Sequence, residues 1–376
     1  MIFSNFTRRL TSIGYQLIRP LLFRSSPDNI HNSLLKLGVK VQKSKFILWV
    51  LKTFWAYENK GMLSQTFRGV EFINPVGLSA GFDKNIQLPP IMKAVGFGFM
   101  TGGSITALKT IGNPRPWFRR LPKLKSLAVN AGLSNDGSIK IVRRIKNYPK
   151  KTFDNFTLMI SVAPTNNKAV ATHTQAIADC LKTLTRIKNI AQAIEINISC
   201  PNALCGQLFT NPKTLEDLLA AVDKLNLSQP VFIKMPSSVS NKTFLELLGV
   251  ARKHNITGAT ICNLNKDYSK FNIPEDTVGG LSGRPVYERS NELIKLAYEK
   301  YGKDLVIIGV GGIFSPQDAY TKIRLGASMV GLITGVIYKG PQIVGDLNHQ
   351  LCRLLEKDGF THISQAIGID TVKGNM

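Results

Sequence analysis

Long hydrophobic runs are absent from this sequence of 376 residues: the longest, Phe46 to Leu51, is six. A membrane-spanning helix needs roughly 18 or more, so no ordinary transmembrane segment is expected. No apolar stretch leads into a small-residue cleavage site of the secretory kind. Cysteine is scarce, at five. There is no CxxC pair; the nearest two are Cys200 and Cys205. That excludes zinc ribbons, thioredoxin-type motifs and a four-cysteine iron–sulfur cluster, and a reducing compartment is the simpler setting. No strand-like segment opens into GxGxxG, the dinucleotide fingerprint. Acidic residues are few, 24 against 48 Lys and Arg, for a formal charge of +24. Such a balance suits nucleic acid or an anionic membrane. The basic residues are scattered, however, and no zinc-finger, RRM or KH pattern occurs, so no nucleic-acid partner is expected.

The start of the chain is the more telling part. Residues 1–60 hold ten Lys or Arg and two acids, Asp28 and Glu58. Phe3, Phe6, Leu10, Ile13, Leu17 and Leu21 recur at spacings of three and four, one face of a helix. Ser26-Pro27-Asp28 reads as a break and a new helix start, and Phe46 to Trp55 as a third, short helix. Two readings stand: an amphipathic segment lying in a membrane interface, or a helical cap packed on the main domain.

After about residue 74 the texture changes. Eight short apolar runs recur, each followed by a polar or Gly-rich loop: 76–80, 97–102, 158–163, 193–198, 231–235, 259–262, 305–310 and 329–333. Helical stretches lie between them, among them Thr174–Lys188, Thr214–Leu225, Asn241–His254 and Pro316–Leu325. Alternating strand and helix predicts a parallel sheet with helices outside. Eight repeats suit a closed (β/α)8 TIM barrel of the α/β class, over residues 61–376, with residues 1–60 as an N-terminal α-helical extension.

Active sites of such barrels lie at the C-terminal ends of the strands. There the sequence offers Ser79-Ala-Gly-Phe-Asp-Lys84, Asn197-Ile-Ser-Cys-Pro-Asn202, Lys234, Cys262-Asn263, Gly309-Val-Gly-Gly312 and Thr334-Gly335. Gly-rich turns after strands seven and eight expose backbone N–H groups that can hold a phosphate; read blandly, they are tight turns. The carboxamides Asn130, Asn197, Asn202 and Asn263 each donate and accept, which suits a flat heterocycle with N–H and C=O groups, although a single Asn is more often a turn former. Lys84 or Lys234 can face a carboxylate or an electron-rich ring. No His or carboxylate cluster for a metal is evident. Among these residues Cys200, as thiolate, is the plausible general base.

Five motifs, in order, resemble the dihydroorotate dehydrogenase family: Asn74–Lys84 (NPVGLSAGFDK), Gly112–Pro116 (GNPRP), Asn197–Asn202 (NISCPN), Gly279–Pro285 (GGLSGRP) and Gly309–Ile313 (GVGGI). The likeness runs from about 64 to 370. The N-terminal helices, Leu121-Pro122, Ser134–Gly137, Asp358–Phe360 and Ala366–Asp370 are similar to the membrane-associated, quinone-using class 2. The resemblance implies an FMN-containing barrel that oxidises (S)-dihydroorotate to orotate in pyrimidine synthesis. It implies FMN contacts at Ala80, Gly81, Lys84, Ser104, Ser161, Asn197, Lys234, Cys262, Gly283, Gly312, Thr334 and Gly335. Substrate contacts would be Lys84, Asn130, Ala131, Gly132, Leu133, Asn197, Asn202 and Asn263. Cys200 would take the C5 proton while hydride leaves C6 for the flavin. A membrane quinone would reoxidise the flavin, and the protein would sit peripherally on the cytoplasmic face of a bacterial inner membrane.

The chain departs from class 2 at several places. Class 2 has Ser at the position of Cys200, a flavin-contacting Asn at Ser161, a Thr at Ala203 and a tunnel-bordering Tyr at Ile333. The stretch Asn130–Leu133 is one residue short. Arg120 matches the tunnel arginine. The rivals are therefore the same oxidation with a soluble acceptor (fumarate, or NAD through a partner), a flavin enzyme acting on another dihydropyrimidine, and a barrel that binds membrane or flavin without turnover.

Overall fold

The computed structural model describes residues 2–200 and 206–372, the side chains of 2–6 and 372 excepted. Eight parallel strands close into a barrel: β1 (Val76–Leu78), β2 (Phe99–Ile105), β3 (Thr157–Val162), β4 (Ala193–Asn197), β5 (Val231–Lys234), β6 (Gly258–Ile261), β7 (Val306–Val310) and β8 (Met329–Leu332). Each pairs with its sequence neighbour, and β8 returns to β1 through Val330 against Val76. All eight apolar runs are barrel strands. Buried on both faces, such strands read as near-continuous apolar segments.

The outer helices begin where the sequence caps them. Thr172 and Gln175 form a capping box ahead of His173–Ile187, and Ser240 and Ser315 cap Asn241–Arg252 and Pro316–Arg324. Inside the barrel, the end opposite the active-site loops is filled by Phe99, Met159, Phe232, Ile308 and Met329. Phe72 closes it from a hairpin (Gln65–Phe67 with Val70–Phe72) that turns at Arg68-Gly69. Three further short strands, Phe118–Leu121, Ser126–Val129 and Gly280–Leu281, form an antiparallel sheet contributed by the segments after β2 and β6.

The extension consists of α1 (Ile2–Arg24), α2 (Pro27–Val41) and α3 (Lys45–Trp55). It is docked on the barrel. Arg8, fully buried, donates from Nε to Asp346 at 3.0 Å and from Nη1 to the Ala56 carbonyl at 3.3 Å. Tyr15 Oη donates to the Ile337 carbonyl at 2.7 Å and Arg19 to that of Tyr338 at 2.8 Å. Gly38 lets α2 approach closely, since a Cβ there would lie 2.7 Å from Leu88 Cδ2. The face that carries the predicted stripe points away from the barrel: Leu10, Ile13, Leu17 and Leu21 are exposed, Leu17 to 76%. Leu34, Leu37, Phe46 and Trp49 on α2 and α3 are exposed as well. The extension is thus a packed cap on one side and an apolar surface on the other. Phe3 and Phe6, the first two residues of the stripe, fall outside the described side chains.

Candidate active site

The strand ends and the extension enclose one cavity of about 860 Å3. Ala80, Gly81, Lys84, Ser104, Asn197, Cys200, Lys234, Cys262, Asn263, Gly283, Gly312, Thr334 and Gly335 line it, together with Ala131, Gly132 and Leu133. From there it continues between the helices, past Tyr15, Ile18 and Phe23 of α1 and His31, Leu34 and Leu37 of α2, with Arg120 and Ile333 on its wall.

The floor is a connected polar network. Ser161 Oγ lies 2.9 Å from Ser104 Oγ, which accepts from Asn197 Nδ2 at 2.9 Å. Asn263 Nδ2 donates to Asn197 Oδ1 at 3.3 Å and to the Ser199 carbonyl at 2.9 Å. Ser199 Oγ donates to the Lys234 carbonyl at 2.7 Å. Strand register explains the assembly: Asn197 lies opposite Lys234 across the β4–β5 pair, and the sheet alternates side chains between its two faces. Much of the amide capacity expected to meet a ligand is therefore used to fix the amides to one another, which orients what remains. Ser161 sits behind Ser104, off the cavity wall. Asn130 is also off it, its Oδ1 accepting from Asn113 Nδ2 at 2.8 Å. Asn202, Ala203 and Cys205 lie outside the described residues.

Two features point to a bound group. Among the described residues, the backbone N–H groups of Gly311, Gly312, Thr334 and Gly335 find no protein acceptor. Gly312 has φ +75°, and a Cβ there would lie 2.5 Å from Tyr287 Cβ, so the turn is open to glycine alone. Gly81, with φ +113°, has nothing nearer to its missing Cβ than Ile333 Cδ1 at 3.9 Å, so its bare backbone faces the cavity. Beside it the buried Ser79 Oγ has no partner, and the Lys234 ammonium, on the cavity wall, has no hydrogen-bond or ionic partner among the described residues.

Lys84 lies in an aromatic clamp, its Nζ 4.8 Å from the Phe118 ring centre and 5.6 Å from that of Trp117. Burial pushes its pKa down to about 8, against the pull of Asp28 and Asp83. Asp28 belongs to α2, and the motifs give no hint of its place: it is buried, accepting from Trp117 N and Phe118 N at 3.2 Å each and from Arg115 Nη1 at 3.2 Å. A residue of the extension thereby fixes the strand that covers Lys84. His31, one turn on, packs edge-on against Phe82 and Phe118 at 5.4 Å. Burial, with Lys84 and Arg115 nearby, lowers its pKa to about 3, so it is neutral at physiological pH. Neither residue carried a motif. A lone Asp at a helix start reads as a cap, and one His on an amphipathic helix has no partner in sequence.

With this geometry in view, comparison decides the family. The dihydroorotate dehydrogenase family pattern matches residues 62–355. The chain belongs to the dihydroorotate dehydrogenase family. It is 33% identical over 359 residues to the dihydroorotate dehydrogenase (quinone) of Sulfurimonas denitrificans, covering 95% of this chain and 99% of that one. To the enzyme of the same name from a Sulfurovum species it is 34% identical over 358 residues, covering 95% and 98%. A crystal structure of the dihydroorotate dehydrogenase of Eimeria tenella with ferulenol superimposes with a TM-score of 0.80 at 24% identity, covering 92% of this chain and 96% of that one. That likeness speaks for the fold. The sequence relatives span the extension as well as the barrel, so the chain is similar over about 95% of its length to members named as quinone-dependent.

Proposed function

We propose that the chain oxidises (S)-dihydroorotate to orotate in pyrimidine synthesis, with FMN bound in the barrel and a membrane quinone as the final oxidant. One observation carries the reading: a single cavity joins a floor of amides and lysines to an apolar roof between α1 and α2.

The floor fits FMN. The unpaired N–H groups after β7 and β8 suit its phosphate, the bare Gly81 backbone allows a flat ring to approach, and the unpartnered Lys234 ammonium suits its electron-rich edge. Bound there, FMN supplies the acceptor for the hydride that leaves C6 of the substrate. Lys84 meets the substrate carboxylate. Asn197, Asn202 and Asn263 meet the N–H and C=O groups of the ring, with Ala131, Gly132 and Leu133 beside them, while Asn130, bonded to Asn113, supports that wall from behind. Cys200, as thiolate, takes the C5 proton as general base.

The roof serves the second substrate. Among the described residues no helix is long and apolar enough to cross a membrane. The exposed apolar residues of α1, α2 and α3, on a segment with ten basic and two acidic residues, suit an interfacial position on anionic lipid, with the cavity mouth open to the bilayer. The cytoplasmic face of a bacterial inner membrane is the matching location.

The test is anaerobic. Purified protein should be yellow, release FMN on denaturation, and bleach with dihydroorotate but not with dihydrouracil. Colourless protein that FMN does not reconstitute, or a flavin that dihydroorotate leaves oxidised, would overturn the proposal.

A further inference from the structure

The eight barrel strands together contain two charged residues, Glu195 on β4 and Lys234 on β5. Both face inward. Glu195 is two residues from Ala193, which belongs to the interior cluster, and two from Asn197, which lines the cavity; Lys234 is two residues from the interior Phe232. The register places Phe232 opposite Glu195 and Lys234 opposite Asn197. The two charges are thus diagonal neighbours on one face of adjacent parallel strands, about 8 Å apart at the backbone from strand spacing and rise, and within reach of long side chains. Glu195 is 2% exposed, and its Oε1 has no hydrogen-bond partner among the described residues. Thr260 Oγ1, opposite Lys234 on its other side, is likewise buried without one. A carboxylate in such a place is costly unless a cation compensates it. Lys234 is the one cation the barrel interior offers among the described residues, and no direct ion pair joins the two.

We propose that Glu195 is a positioning residue for the flavin seat: its carboxylate balances the Lys234 ammonium across the barrel interior and so sets the potential at which a flavin above them is reduced. A cation near the ring favours the reduced, more negative flavin; Glu195 offsets that preference. Lys234 alone would make the flavin a stronger oxidant than the pair does. The inference rests on the flavin reading for one of its two readouts.

The direct test is the midpoint potential of bound FMN in four proteins: the parent, Glu195→Gln, Lys234→Met and the double variant. In Glu195→Gln the reduction equilibrium should move about tenfold toward reduced flavin, a rise of about 30 mV for a two-electron couple. Against Lys234→Met the same substitution should change little, because Glu195 acts on the flavin through the ammonium it positions. An unchanged or lowered potential in Glu195→Gln, or an equal rise in both backgrounds, overturns the proposal. If a variant does not hold FMN, infrared spectroscopy of the flavin-free full-length chain carries the test. Lys234→Met should shift the carboxyl-group band that Glu195→Gln removes from the parent; a band left unshifted overturns the pairing. A parent chain that never binds FMN defeats the flavin reading and leaves the infrared result to decide this one.

Discussion

At the barrel end of the cavity, Ser104, Asn197, Ser199 and Asn263 bond to one another and to the strand ends that carry them. At the other end, α1 and α2 line the same space with Ile18, Leu34 and Leu37, and a few polar anchors such as Arg8 to Asp346 and Tyr15 to Ile337 hold the helices down. Networked polar groups have one low-energy arrangement, because each misplaced partner leaves a buried group unsatisfied. An apolar channel tolerates sliding and re-packing. The contrast matches the two jobs proposed here: proton and hydride removal need fixed geometry, whereas a lipid-soluble acceptor needs a greasy path and no unique pose. The two ends meet at Lys84, which faces the floor while Asp28 of the roof fixes the aromatic strand above it.

Substitutions at each end should therefore separate the two half-reactions. The largest effect belongs to the floor. Cys200→Ala should slow flavin reduction by dihydroorotate by about 10² to 10⁴, the usual worth of a general base, with FMN retained and quinone reoxidation unchanged in stopped-flow traces. An unchanged reduction rate would remove Cys200 from the mechanism and blur the distinction between the ends.

The next effect is one of pH. Lys84 loses its proton as pH rises through about 8. Its charge toward the substrate carboxylate is complete below that pH and fades above it. The basic limb of kcat/KM for dihydroorotate should fall roughly tenfold per pH unit beyond about 8, chiefly through KM. His31, neutral down to about pH 3, should contribute no step between pH 5 and 9. A kcat/KM that stays flat to pH 10 would contradict the assignment of Lys84.

At the roof, Gly14 of α1 lines the channel, and a Cβ there has nothing within 4 Å. Gly14→Phe should therefore fill the passage without strain and lower the rate of reoxidation by quinone by about tenfold or more, leaving reduction by dihydroorotate unchanged. Equal slowing of both half-reactions would mean that the helices do not form a separate path. The smallest effect should come from the point of contact. Asp28→Asn removes a charge that raises the Lys84 pKa, so the basic limb should shift to lower pH, and KM for dihydroorotate should rise by a few-fold at pH 8.

The same contrast explains what the sequence makes legible. The barrel strands and their glycine turns are local signals, a short apolar run followed by a turn, and all eight are readable. So is the periodicity of α1. Partners distant in sequence are not. Ser126–Val129 pairs with Gly280–Leu281 about 150 residues away, and these four- and two-residue strands carry no periodicity of their own. Asp28 meets Phe118 only because the extension docks where it does. The amides could be listed from strand ends, but their mutual bonding, which takes up part of their capacity, depends on strand register. Which way the α1 stripe faces was equally beyond reach, since packing and exposure use the same apolar residues.

In this enzyme scheme electrons enter at the floor and leave through the roof. Double-mixing stopped-flow tests it most directly: the flavin is reduced anaerobically with one equivalent of dihydroorotate, then mixed with quinone in anionic liposomes or with fumarate in buffer. Reoxidation should be many-fold faster with quinone, and Gly14→Phe should abolish most of that difference. Reoxidation faster with fumarate, indifferent to liposomes and to Gly14→Phe, would contradict it.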